Sequence, residues 1–378
     1  MKLLRSAAIV ATAVLMSGCA QLEYYLQAAQ GQIALLSDAR PIDELLADPE
    51  VGAKLKTRLA KAREIRRYAA RELGLPDNDS YKNYADLKRP YVLWNIVATP
   101  ELSMKPERWC FPIAGCVNYR GYYNKQEAMA YAADLRRDGF DVQVAGVAAY
   151  STLGWFNDPV LSTFIQYPDG ELARLVFHEL AHQVAYAKDD TQFNESFATA
   201  VEEVGVERWM STQADDRTRQ KYLEFDGRKR QFLALLITYR QRLESSYASA
   251  LSDAQKRADK VRIFQSLQAD YQRLKISWGG YAGYDRWFAE PLTNAHLASV
   301  ATYHDYVPAF RELLVEQKSL GKFYRAVKSM AAEEASIRRQ QLAQLSRHAA
   351  LAARVAPAVQ VPMTAPAVKA SITAPAAQ

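Results

Sequence analysis

Leu172-Ala173-Arg174-Leu175-Val176-Phe177-His178-Glu179-Leu180-Ala181-His182-Gln183-Val184-Ala185-Tyr186 is the stretch from which the rest of the chain is read. Its apolar frame predicts a buried helix over 172–186. The i to i+4 spacing puts His178 and His182 on one face, a turn apart. Two of the five histidines in the chain fall at this spacing. Neutral imidazoles so placed can share one zinc ion, with Glu179 between them in sequence and directed at a water. The plainer alternative is a pair of helix histidines satisfied by their neighbours. A catalytic zinc site asks for a third protein ligand and an open position, and Glu195, thirteen residues after His182, is the next candidate. The intervening Lys188-Asp189-Asp190-Thr191-Gln192 is polar enough to be a loop. This predicts a helix-loop-helix centre for one zinc ion, with Glu195 near the start of an antiparallel second helix. Thr199 and Glu202, one or two turns on, are placed to hold the free N–H of a ligand imidazole and fix its tautomer.

Outward from this centre the fold class is α+β and mostly helical. From Gly170 to about His348 nearly everything reads as helix, including the charged stretch 217–275 with Phe232, Leu235, Leu236, Tyr239 and Leu243 on one face. Gly279 to Tyr284 is a break in it. Upstream, β-branched and aromatic runs at 91–97, 142–147 and 163–167, with a helix at 125–138 ended by Gly139, predict a small sheet lobe. The expected division is a helical arm over 19–80, an α+β lobe over 81–169, and a helical zincin-like lobe over 170–348. The Ala/Pro-rich segment 349–378 lacks the apolar bulk for a core and reads as a disordered tail.

Residues 1–18 read as a signal peptide: Lys2 and Arg5 precede an apolar run too short to span a bilayer as a permanent helix. Leu15-Met16-Ser17-Gly18-Cys19 resembles the lipobox of bacterial lipoproteins, which implies acylation at Cys19 and membrane attachment in the bacterial cell envelope. Ala20, where an aspartate would signal otherwise, implies the outer membrane, facing the periplasm. Once Lys2 and Arg5 leave with the signal, the formal charge of +6 falls to +4. The basic residues interleave with acidic ones and accompany no nucleic-acid-binding motif, so no nucleic-acid partner is expected. Export leaves Cys110 and Cys116 as the two remaining thiols in an oxidising compartment, and they are expected to pair.

Asn194-Glu195-Ser196-Phe197-Ala198, with Glu202 seven positions after the ligand glutamate, resembles the corresponding segment of the aminopeptidase N type of gluzincin, although the loop between the two motifs is shorter here. Together with the lipobox, the Cys110 and Cys116 pair, Tyr119-Arg120-Gly121-Tyr122-Tyr123 and Gly154-Trp155-Phe156-Asn157-Asp158-Pro159, it resembles a family of bacterial lipoproteins described as zinc-dependent aminopeptidases. That resemblance implies a peptide substrate, Glu179 as general base, and a tyrosine or histidine from a later helix facing the oxyanion. Tyr303 is preferred for this, with His304, Tyr281 and Tyr284 behind it. It also implies Asp158 as a carboxylate for the substrate's α-ammonium, and an edge strand at 162–167 that pairs with the peptide backbone. Two other readings stand beside this one: an endopeptidase that processes envelope proteins, and a non-catalytic scaffold in which zinc serves stability. Glu179 speaks against the scaffold, since a structural zinc site has no use for a base and is usually closed by four ligands.

Overall fold

A computed structural model describes residues 22–111 and 115–355, apart from the side chains of 301–303 and 353–355. The signal segment, Cys19 and the residues after 355 lie outside the described ones. The chain is mostly helical, with three small sheets.

Helix α1 (22–37) is followed by β1 (Arg40–Pro41), α2 (Ile42–Ala47), α3 (Ala53–Arg71) and β2 (Asn83–Ala85). The central sheet has the order β6-β3-β7, from Arg120–Tyr122, Leu93–Pro100 and Phe140–Val147, all antiparallel. Helix α4 (Lys125–Arg137) crosses it, burying Ala128 and Ala132 against Ile96, Ala98 and Val142. The Asn124 side chain accepts from the backbone of Gln126 and Glu127, which starts α4. Gly139, at φ +88°, takes the left-handed turn that releases the chain into β7. The remaining strands are the hairpin β4–β5 (Trp109–Phe111, Gly115–Val117) and β8 (Val160–Leu161), which runs parallel to β2. Cys110 and Cys116 face each other in the hairpin and form a disulfide.

The expected strand at 163–167 is a series of turns. The amides of Phe164 and Ile165 both reach back to the Leu161 carbonyl, and Tyr167 reaches to Phe164. Phe164 and Ile165 are buried as expected of an apolar run, but they plug the core from a turn that leads into α5, so no edge strand exists there to take a peptide backbone.

Helix α5 (Asp169–His182) stops four residues short of the expected 186, with Gln183 as its C-cap. Asp169 and Glu171 sit in its first turn, where the helix dipole favours carboxylates. It is buried nearly all round by Leu172, Ala173, Val176, Phe177, Leu180 and Ala181. Helices α6 (Thr191–Gln213), α7 (Asp216–Ala248) and α8 (Asp253–Ser277), a short 3₁₀ turn, and α9 (Asn294–His304) follow. The chain then forms α10 (Val307–Gln317), α11 (Leu320–Ala332) and α12 (Ala335–Val355), the last running past the boundary expected at 348. Phe232, Leu236, Tyr239 and Leu243 of α7 pack on Leu267 and Tyr271 of α8, so the charged stretch is two solvated helices joined by an apolar stripe.

One core serves most of the chain. Leu35, Ile42 and Ile65 of the arm meet Phe177 and Leu180 of α5, Phe197 of α6, Phe310 of α10, Phe323 of α11 and Leu342 of α12. No helix among the described residues is long and apolar enough to cross a membrane.

Candidate active site

The site is built at the crossing of α5 and α6. The helices run antiparallel: Arg174 and His178 reach Glu202, while His178 and His182 reach Glu195. Gly205 permits the close approach, for a Cβ there would stand 2.8 Å from a Phe177 ring atom. Asn194 fixes the start of α6 against the end of α5. Its side chain accepts from the Ala187 amide at 2.7 Å and donates to the Ala187 carbonyl at 2.9 Å, both in a buried setting. Asp190 caps α6 through the Phe193 amide and holds Arg338 of α12 at 2.8 Å.

Three of the sequence-predicted residues converge. His178 Nε2 lies 3.2 Å from His182 Nε2 and 3.2 Å from Glu195 Oε2, and His182 Nε2 lies 3.6 Å from the same oxygen. His178 Nδ1 stands 2.8 Å from Glu202 Oε2, so a neutral imidazole that donates there turns Nε2 toward His182 and Glu195 as an acceptor. A lone pair facing a carboxylate oxygen at this distance repels it unless a cation is shared between them. Where no cation is shared, the electrostatics favour a proton in its place. Burial opposes a charged His178, yet its hydrogen bonds to Glu195 and Glu202 hold its pKa well above the ordinary value. Burial alone would raise Glu195, but the charge and hydrogen bonds of His182 and His178 bring it down to about 2. Two imidazole nitrogens and one carboxylate oxygen are a fitting donor set for a divalent metal ion, and zinc is among the ions it suits. Glu179, buried on the same helix, has its carboxyl raised by that burial, with His178 and His182 pulling the other way.

Behind the histidine, Glu202 is held in turn. Arg174, almost fully buried, donates to Glu202 Oε1 at 3.1 Å, to the Tyr222 hydroxyl at 2.6 Å and to Asp226 at 2.9 Å, with Glu171 3.2 Å away. Thr199 of α6 is buried but makes no hydrogen bond to either histidine among the described residues; of these two candidates, Glu202 does.

Asp158 is brought to the site's edge. It is buried, its Oδ2 accepts the Thr152 amide at 2.9 Å, and burial lifts its carboxyl to about 6. The loop it closes carries Trp155 and Phe156 outward, both exposed, and a Cβ placed on Gly154 of that loop would stand 3.7 Å from Gln183, the residue that caps α5. The hairpin β4–β5 braces the other side: Asp189 accepts the Cys116 amide at 2.6 Å and its carbonyl takes Arg108 at 2.9 Å.

Of the oxyanion candidates, Tyr303 has a side chain outside the described ones. His304 is half-buried at the end of α9, where burial lowers it to about 4 and the charges of Lys229, Glu202 and His178 reach it. Tyr281 and Tyr284 pack instead: Tyr284 stacks on Phe232, and Tyr281 lies under Arg228. Two tyrosines whose own part in the site sequence reasoning missed do stand here. Half-buried Tyr119, just after the disulfide hairpin, feels Glu195, Tyr186 and Glu179, and buried Tyr81 feels Glu179 and then Asp158. For Tyr119 the only signal was its place in a Tyr-Arg-Gly-Tyr-Tyr run, and for Tyr81 there was none.

A family model described as "Putative aminopeptidase" matches residues 23–342. No curated protein and no solved structure matches the chain.

Proposed function

The chain belongs to the family described as "putative aminopeptidase", and from that premise we propose that it is a zinc metallopeptidase trimming peptides from the amino end. The observation that carries the reading is the convergence of His178 Nε2, His182 Nε2 and Glu195 Oε2, with Glu179 on the same helix turn. A zinc ion held by these three residues supplies a Lewis acid that polarises the scissile carbonyl and acidifies a water.

The remaining work belongs to side chains. Glu179 takes a proton from the attacking water and hands it to the leaving amine. Glu202 holds the His178 Nδ1–H and is itself anchored by Arg174, so the imidazole keeps one tautomer. Tyr303 on α9 is assigned the hydrogen bond to the developing oxyanion. Asp158 takes the α-ammonium of the substrate. The protein is held in the bacterial envelope by a lipid on Cys19, at the outer membrane and facing the periplasm.

The test is the chain from Ala20 onward, purified without chelator, assayed for metal and for cleavage of aminoacyl amides and blocked peptides beside Glu179→Gln. The expected results are one zinc per chain, cleavage confined to free amino ends, and a metal-replete but inactive variant. Equal cleavage of N-acetylated peptides would make it an endopeptidase, and an active Glu179→Gln would remove the mechanism.

A further inference from the structure

Tyr81 has a backbone conformation that bulky residues avoid, at φ +63°. Such a conformation persists only where the surroundings impose it, and here they do. The Tyr81 amide donates to the Asp158 carbonyl at 2.6 Å. Just before it, Ser80 and Asn78 are clamped from two sides. Arg66 of α3, itself buried, donates from Nε to the Ser80 carbonyl at 3.0 Å and from Nη2 to the Asn78 carbonyl at 2.6 Å. Gln183, which follows His182 directly, accepts from the Asn78 amide group at 2.6 Å and donates to Ser80 Oγ at 3.2 Å. The strained residue is therefore tied both to the end of the zinc-motif helix and to the loop that carries Asp158.

What the strain secures is the placement of one hydroxyl. Tyr81 is 1% exposed, and its Oη is buried with no hydrogen-bond partner among the described residues. A buried polar atom left unpaired is costly, and in a native protein it calls for a reason. The charges that reach this phenol are Glu179 first and Asp158 second, with the Tyr150 phenol behind them, and burial among them keeps it protonated. Two carboxylates and a neutral phenol oxygen form a set of acceptors short of a donor-rich cation, and a primary ammonium carries three N–H groups.

We propose that Tyr81 is a substrate-binding residue that, with Asp158, receives the α-ammonium of the peptide, its oxygen accepting one N–H while its own O–H turns toward Glu179. The inference rests on the aminopeptidase reading and sharpens it. The requirement for a free amino end then comes from a subsite of one carboxylate and one phenol, set beside the general base.

The test is Tyr81→Phe in the chain from Ala20, using an aminoacyl 4-nitroanilide and its N-acetyl counterpart, with metal content and thermal unfolding measured alongside. Loss of a hydrogen bond to a charged group raises KM for the free-amino substrate by roughly 10- to 100-fold, leaves metal content unchanged and erodes the preference over the acetylated substrate. Because the lost hydroxyl has no partner among the described residues, the melting temperature holds or rises. A wild type that prefers the free amine and a Tyr81→Phe variant that keeps both that preference and its KM would overturn the inference alone. A wild type indifferent to acetylation would overturn the aminopeptidase reading together with it. A variant that melts lower and loses kcat equally on both substrates would show Tyr81 to be structural and would likewise overturn it.

Discussion

At the scale of single residues, three side chains separate chemistry from support. Glu179→Gln keeps the shape of the site but cannot carry a proton, so turnover should fall by roughly 10²- to 10⁴-fold with metal content intact. Glu202→Gln exchanges the carboxylate that holds His178 Nδ1 for an amide. Affinity for zinc, measured by chelator competition, should fall roughly 10- to 100-fold, and activity should recover in excess metal. Asp158 links pH to both stability and binding. Burial raises its pKa from 3.8 to about 6, so the protonated form favours the fold. That contribution is complete below the unfolded value and lost as pH rises through about 6. Asp158→Asn should therefore be more stable than wild type at pH 7.5, by up to about 3 kcal/mol in denaturant unfolding. For the wild type, KM for free-amino substrates should climb as pH falls below about 6, because a neutral carboxyl no longer pairs with an ammonium.

At the scale of elements, the cluster of His178, His182 and Glu195 depends on how the loop after α5 is pinned. Asn194→Ala leaves the Ala187 N–H buried and unpaired and its C=O with the Asp190 amide alone, which should cost roughly 1–3 kcal/mol in denaturant unfolding and lower zinc occupancy by freeing Glu195. The disulfide hairpin presses on the same loop through Asp189; cross-linking residues six apart should contribute about 2 kcal/mol, so reduction should lower the melting temperature and loosen the site. These elements were not equally legible in the sequence. The two histidines and Glu195 could be read because helical spacing and a polar loop are local features, and the hairpin cysteines because an exported chain would leave them no other partner. The run 163–167 misled because a turn that plugs a core needs the same apolar residues as a strand. Tyr81 was invisible: it belongs to no periodic run, and only Arg66, Asp158 and Gln183, far apart in the chain, together give it a role.

At the scale of the molecule, the helical arm does not stand apart from the site it precedes. Leu35, Ile42, Leu45 and Leu59 are buried in the core that also holds Phe177 and Phe197. Deleting residues 22–50 should therefore unfold or precipitate the protein rather than merely release it from an anchor, as solubility and circular dichroism would show. Helix α1 is also seated on the sheet lobe: Gln27 accepts the Tyr123 amide at 3.0 Å, and Tyr24 packs on Phe111 and Tyr122. With a lipid on Cys19, Ala20 and Gln21 would be the whole leash, and two extended residues span only about 7 Å. Such an enzyme could not roam the space it faces. It would work at one fixed height above the bilayer, as a trimming station to which peptides must come, and its effective dose would be set per unit of membrane area.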